Sequence, residues 1–142
     1  MADIVSPSKR SQMMAGIRAK NTKPELLVRR ALHDRGFRFR LHRTDLAGKP
    51  DLYFPKFKSA VFVHGCFWHA HDCKLFKLPR TNTEFWEEKL MANRKRDQRN
   101  LINLETQGVR SIVIWECETR STPDAFATRM DEVARWLRSA QI

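Results

Sequence analysis

Between Val63 and Cys73 the chain places three histidines, two cysteines and two aromatics, and its third cysteine lies far along in Trp115-Glu116-Cys117. Such density is hard to explain as core packing. Cys66, His71 and Cys73 are zinc-ligand types at short spacing, and with Cys117 they would close a tetrahedral structural zinc site. On spacing alone His69 competes with His71 for the metal, and incidental packing of the cluster stays open. His64 and His69, if unclaimed by zinc, stand beside an aspartate that follows a proline, Pro50-Asp51. A structural metal next to a separate catalytic cluster is therefore the leading reading.

With 142 residues the chain is long enough for one domain with a real core and too short for two ordinary ones. Lys and Arg number 27 against 16 Asp and Glu, a formal charge of +11, so polyanions are drawn to the surface and nucleic acid is the natural partner. An anionic membrane could use the same charge. However, no segment approaches the roughly 20 apolar residues of a spanning helix, and no basic-then-apolar signal opens the chain. An odd number of cysteines without such a signal argues against a disulfide framework and suits thiolate ligands in a reducing compartment. The expectation is a cytoplasmic protein associated with the nucleoid.

The pattern predicts a basic arm over residues 1–20 and a single domain over 21–142. Lys9, Arg10, Arg18 and Lys20 surround Met13, Met14 and Ile17 at helix-compatible spacing. Thr22-Lys23-Pro24-Glu25 resembles a capping box, and a helix from about Lys23 to Arg35 follows, with Leu26, Leu27, Ala31 and Leu32 inward and Gly36 as its stop. Phe37 to His42 alternates apolar residues with Arg38 and Arg40, the pattern of a half-buried strand. Asp51–Phe54 and the nearly continuous apolar run 59–64 read as two more strands, the latter central. Residues 65–82 read as loop and metal knuckle, Thr83–Gln107 as a long helix stopped by Gly108, Arg110–Trp115 as the last strand, and Pro123–Ala140 as an amphipathic helix. The order α, α, β, β, β, α, β, α predicts an α/β (α+β) fold, a mixed sheet flanked by helices.

Gly48-Lys49-Pro50-Asp51 before an apolar strand, with Glu25 on the preceding helix, resembles the PD-(D/E)XK nuclease core, the restriction-endonuclease-like fold. The likeness is closer across Phe62-Val63-His64-Gly65-Cys66-Phe67-Trp68-His69, His71, Cys73, Thr83-Glu84-Phe85-Trp86, Lys89, Asn93 and Trp115-Glu116-Cys117. Those residues resemble the very short patch repair (Vsr) mismatch endonucleases, from about Arg10 to Cys117. The resemblance implies an enzyme that nicks one strand of duplex DNA next to the thymine of a T:G mismatch left by deamination of 5-methylcytosine. It implies catalytic Mg²⁺ held by Asp51 and by the backbone carbonyl of Val63, a position where the family pattern has threonine. Ala70 likewise stands where the pattern has histidine. His69 resembles the general base, and a free imidazole pKa of about 6.5 suits proton removal near neutral pH. His64 would position or stabilise the phosphate, and Glu25 would face the metal through water or orient a histidine.

For recognition, Phe67, Trp68 and Trp86 are the family-matched aromatics for insertion at the mismatch, where unstacking costs less than in a regular duplex. Lys89 and Asn93 share a helical face with Trp86 and are suitable donors to the acceptors of guanine and thymine in the major groove. Met14 and Ile17 would press into the minor groove or dock their helix on the domain. Phe85 reads as core, and the basic run 93–100 as a solvated helix face. The expected partner is double-stranded DNA with a T:G mismatch, bound by a monomer linked functionally to a cytosine-5 DNA methyltransferase and mismatch-repair proteins. A nuclease of the same core acting on another damaged or branched duplex, and a non-catalytic zinc DNA-binding module, are the alternatives.

Overall fold

Two prolines bracket a short strand, and much of the sheet follows from that. The computed structural model describes residues 22–73 and 76–140, so the basic arm with Met14 and Ile17 lies outside the described residues. Helix α1 spans Lys23–Asp34, and strands β1 (Arg40–Leu41), β2 (Leu52–Phe54) and β3 (Ser59–His64) follow. Next come helix α2 (Thr83–Thr106), strand β4 (Arg110–Trp115), the single turn α3 (Glu116–Thr119) and helix α4 (Pro123–Arg138). The four strands form one mixed sheet in the order β1-β2-β3-β4. The β1–β2 and β2–β3 pairs are antiparallel, and β3–β4 is parallel. A parallel pair needs a long crossover, which α2 supplies.

Alternation along β3 divides the interior between the two faces of the sheet. Val61 and Val63 pack with Val28, Leu32, Met130, Val133 and Leu137 of α1 and α4 on one face. Ala60 and Phe62 pack with Leu104, Leu101 and Val109 on the other. This is the period-2 partition of a strand buried on both sides, and it confirms the central position expected for residues 59–64.

Helix ends follow their sequence signals. Thr22 Oγ1 accepts from the Glu25 N–H, and Thr122 Oγ1 from the Ala125 N–H, with proline in the first turn each time. Gly36 adopts φ of +91°, while the Phe37 N–H reaches back to the Leu32 carbonyl at 3.1 Å and closes α1. The capping box is completed on one side only in its expected sense, because the Glu25 carboxylate engages Arg29 and His42.

Three expectations are corrected. The inward stripe of α1 is Glu25, Val28 and Leu32, whereas Leu26 is 48% exposed and Leu27 is also exposed. Residues 25, 28 and 32 recur at helical spacing, and choosing that face turns Leu26 and Leu27 outward. The expected strand Phe37–His42 shrinks to Arg40–Leu41, with Leu41 outside. Its partner β2 lies between Pro50 and Pro55, which lack the N–H a longer ladder needs, and His42 turns away with φ of +48°. Phe85 is 57% exposed rather than core.

No helix among the described residues is long and apolar enough to cross a membrane. The corrected stripe of α1 has a measurable consequence. Leu32→Ala should cost about 2–5 kcal/mol, while Leu26→Ala should fall within about 0.5 kcal/mol of the parent. Denaturant unfolding of the two variants separates the faces, and equal losses would restore the expected one.

Candidate functional site

Register brings the chemistry to one end of the sheet. Leu52 pairs with Val61, so the start of antiparallel β2 meets the end of β3. His64 pairs with Trp115 in the parallel ladder, so β3 and β4 run out together, and Cys66 and Cys117 each lie two residues past that pair. A cavity of about 1290 Å³ opens there, lined by Glu25, Asp51, Val63, His64 and His69, and also by Phe67, Trp68, Lys89 and Asn93. Every described catalytic candidate thus faces one space.

One potential ligand atom each from Cys66, His71, Cys73 and Cys117 lies within 4.8 Å of the others. His71 Nδ1 is 3.6 Å from both Cys66 Sγ and Cys117 Sγ. A tetrahedron with bonds of about 2.1 Å to nitrogen and 2.3 Å to sulfur has an edge of roughly 3.6 Å, so these donors are spaced for a shared tetrahedral metal. The Cys117 N–H donates to Cys66 Sγ at 3.3 Å, and the His71 ring stacks on Trp115 at 4.0 Å, which fixes its orientation. Burial pushes the Cys66 thiol up to about 12, against the Cys117 N–H and with the neighbouring cysteines adding to it; burial also raises Cys117. Without a cation the cluster resists becoming thiolate, whereas a metal reverses that preference. His69 does not compete with His71, since it belongs to a different group of side chains.

That group is His64, His69 and Asp97. The two imidazoles stack face to face, with centroids 3.8 Å apart and planes within 4°. His69 Nδ1 is held by the Asp97 carboxylate across from α2, which leaves Nε2 as the nitrogen available to take a proton. His64 is buried, and its Nδ1 has no hydrogen-bond partner among the described residues. Burial, reinforced by His69, pushes His64 down to about 3, so it stays neutral near pH 7. Two histidines five residues apart therefore have different chemistry.

A third group joins Glu25, His42 and Asp51. Glu25 Oε1 lies 2.5 Å from His42 Nε2 and 2.5 Å from Arg29 Nη2, and the carboxylate is almost wholly buried. Asp51 Oδ2 accepts from the Val63 N–H at 2.7 Å. Burial pushes Asp51 up to about 6; the Val63 N–H opposes this and the charge of Glu25 adds to it.

Around the mouth stand aromatics. Phe67 meets Trp68 at 5.0 Å and Trp86 at 5.5 Å between centroids, and Lys89 Nζ sits 5.7 Å from the Trp86 ring. Asn93 donates to the Trp68 carbonyl at 2.9 Å and so braces the knuckle against α2. Asp97 and His42 were not singled out from sequence. For Asp97 a signal existed: it falls four residues after Asn93, on the inward face that Lys89 and Asn93 share. His42 carried none, because its partner Glu25 is 17 residues away.

The elevated Asp51 gives a pH signature. Its folded value of about 6 exceeds the ordinary 3.8, so ionisation opposes folding progressively from about pH 4 to 6 and fully above. Asp51→Asn should therefore be more stable than the parent above pH 6, by on the order of 1–3 kcal/mol in buffer without added divalent cation. Below pH 4 the difference should vanish. Thermal unfolding across this range checks it, and a pH-independent difference would mean Asp51 is not elevated.

Known proteins resemble this chain closely. The family model of the DNA mismatch endonuclease Vsr matches residues 2–75. The type II nicking enzyme V.XorIIP of Xanthomonas oryzae pv. oryzae is 49% identical over 118 residues, covering 83% of this chain and 87% of that protein. The type II nicking enzyme V.NmeAIP of Neisseria meningitidis is 47% identical over 140 residues, 99% of each chain. The DNA mismatch endonuclease Vsr of Escherichia coli is 38% identical over 136 residues, 93% of this chain and 87% of that one.

Proposed function

Because the chain belongs to the DNA mismatch endonuclease Vsr family and is a DNA endonuclease by that kinship, we propose that it nicks one strand of duplex DNA beside the thymine of a T:G mismatch. The observation that carries the reading is the cavity in which His69, held by Asp97, faces the same space as Asp51 and Glu25. The four-stranded mixed sheet, with Asp51 entering β2 and Glu25 on α1, supports a PD-(D/E)XK-like core.

Asp51 and the Val63 carbonyl would hold Mg²⁺, a hard cation that favours oxygen donors. A strand residue turns its N–H and carbonyl to the same edge, and the Val63 N–H points to Asp51, which supports that use of its carbonyl. Mutual repulsion of Asp51 and Glu25 is what a divalent cation would relieve. When bound, the ion neutralises charge on the scissile phosphate and stabilises the leaving oxygen. His69 Nε2 takes the proton from the attacking water, while Asp97 fixes the ring and stabilises the imidazolium that forms. His64 walls one face of the base and, being neutral, assists a phosphate only through hydrogen bonding. Phe67, Trp68 and Trp86 form the platform for disturbed bases, each base stacked on an aromatic being worth about 1–3 kcal/mol. Lys89 offers a cation beside them, and Asn93 supports Trp68.

Cys66, His71, Cys73 and Cys117 would hold a structural Zn²⁺ that ties the knuckle to the end of β4. The basic surface draws in duplex DNA, and we assign the arm's Met14 and Ile17 to the minor groove. The enzyme acts as a monomer in the cytoplasm, downstream of a cytosine-5 DNA methyltransferase and alongside mismatch-repair proteins.

End-labelled duplexes differing only by T:G against C:G test the function with Mg²⁺ present. The expected result is a nick confined to the thymine strand beside the mismatch. It should be lost in Asp51→Ala and reduced roughly 10²-fold or more in Asp97→Asn, as for loss of general-base function. Equal cutting of both duplexes would point to another substrate, and binding without cutting to a non-catalytic module. Separately, the parent should carry one tightly held zinc per chain, and Cys117→Ser should lose it together with thermal stability. A variant that keeps the zinc as firmly would remove Cys117 from the ligand set.

A further inference from the structure

The two acids of the cation site come from elements with no local reason to adjoin. Glu25 belongs to the first turn of α1, and Asp51 to the turn leading into β2. One residue is bonded to both. The His42 backbone N–H donates to the Asp51 carbonyl at 3.3 Å, and His42 Nε2 lies 2.5 Å from Glu25 Oε1. Its backbone takes φ of +48°, a left-handed conformation that histidine adopts more readily than most side-chain-bearing residues. Arg29 Nη2 reaches the same Glu25 oxygen from one turn further along α1, and it also approaches His42 Nε2 at 3.4 Å. Arg29 shares its helix with Glu25 and its charge favours the ionised form of Asp51 as well, whereas a tie between the two acids needs a residue of the segment that bonds the turn carrying Asp51. His42 supplies that tie, and one potential ligand atom each from Glu25, His42 and Asp51 lies within 4.8 Å of the others.

We propose that His42 is a positioning residue for the cation site: it holds Glu25 beside Asp51 and thereby sets the affinity of the pair for a divalent cation. This rests on the reading of Asp51 as cation ligand. A hard cation prefers oxygen, and the imidazole nitrogen is already engaged by Glu25, so His42 acts through the carboxylate. Residues that orient ligands in this way typically change metal affinity or activity by about 10–100-fold.

The test uses the full-length, zinc-loaded protein with Mn²⁺ as probe, its binding followed by electron spin resonance without DNA. His42→Asn preserves a residue tolerant of the left-handed backbone but is too short to reach Glu25. It should weaken Mn²⁺ binding at least about tenfold, and His42→Gln, which keeps a donor of greater reach, should recover part of the loss. In a Glu25→Gln background His42→Asn should add nothing, because the two act as a unit. The Mg²⁺ concentration for half-maximal nicking should rise in step with the Mn²⁺ dissociation constant, with a smaller change in rate at saturating cation. Unchanged Mn²⁺ affinity in a folded His42→Asn protein overturns the proposal, as does an additive effect in the Glu25→Gln background. If His42→Asn unfolds, the His42→Gln and Glu25→Gln comparison decides the matter. The function can fail independently: Mn²⁺ affinity that falls in His42→Asn while T:G duplex goes uncut would reject the mismatch reading and keep the role of His42. Parental Mn²⁺ affinity in Asp51→Ala would instead reject the cation site.

Discussion

Six residues of β3 run beside six of β4 in parallel, His64 opposite Trp115, and this register decides where the useful side chains beyond it come to lie. Cys66 and Cys117 emerge as neighbours because each sits two residues past the last pair. His64 ends β3 on the face turned toward α2, so the loop that follows lays His69 over it, within reach of Asp97. A slip of one residue would send His64 to the opposite face and break both clusters. The burial of Val61 on one face and Ala60 and Phe62 on the other makes such a slip expensive. Hydrophobic alternation is thus the device that holds the chemistry in place.

Among the described residues, the stretch after β3 carries no helix or strand from Gly65 until α2 begins at Thr83. Loops of that length in compact domains are uncommon unless they bind something. Thiol, imidazole and aromatic contacts replace a hydrophobic core here: the Cys/His group at one end, the Phe67–Trp68–Trp86 cluster beyond it, and the Asn93 bond to Trp68 between loop and helix. Strain gathers nearby. His42, Lys49 and Ala70 all have positive φ, and all lie beside the cavity or the knuckle. With Asp51 elevated and His64 buried as a neutral ring, the site opposes the fold locally while the two-sided core supports it. The charge pattern has the same logic on a larger scale: a chain of net charge +11 attracts polyanions, and two of its acids, Glu25 and Asp51, are drawn together inside the cavity beside His42.

What could be read before the structure depended on range. Helix ends were legible at Thr22, Gly36 and Gly108 because caps act within a few residues. The Cys66, His71 and Cys73 spacing was legible for the same reason, and Cys117 because few residues of that type exist to choose from. The face of α1 was not, since Leu26 and Leu27 are as apolar as Val28 and Leu32, and only the approach of α4 selects between them. Phe37–His42 alternates like a strand, yet its pairing is cut short by prolines in a different segment. Phe85 looked like core because size and apolarity carry no address. Asp97 lay in a run of basic residues whose solvated appearance concealed one inward position. His42 was invisible for a deeper reason: its function lies in joining two acids, and neither bond follows from its neighbours in sequence.

The stacked histidines show how surroundings, rather than residue type, set two like side chains apart. His64 and His69 are chemically identical, and their rings stack nearly parallel at van der Waals separation. Protonating both would place two cations in contact, so the fold has to favour one. Burial without a partner for Nδ1 among the described residues disfavours the charged form of His64, while the Asp97 carboxylate holds His69 Nδ1. His64 is then a flat, uncharged ring against one face of His69. Separating two like groups by surroundings alone is a general route to acid–base chemistry near neutral pH. In this chain it is what supports the proposed assignment of the base to His69, the residue to which the family resemblance also points.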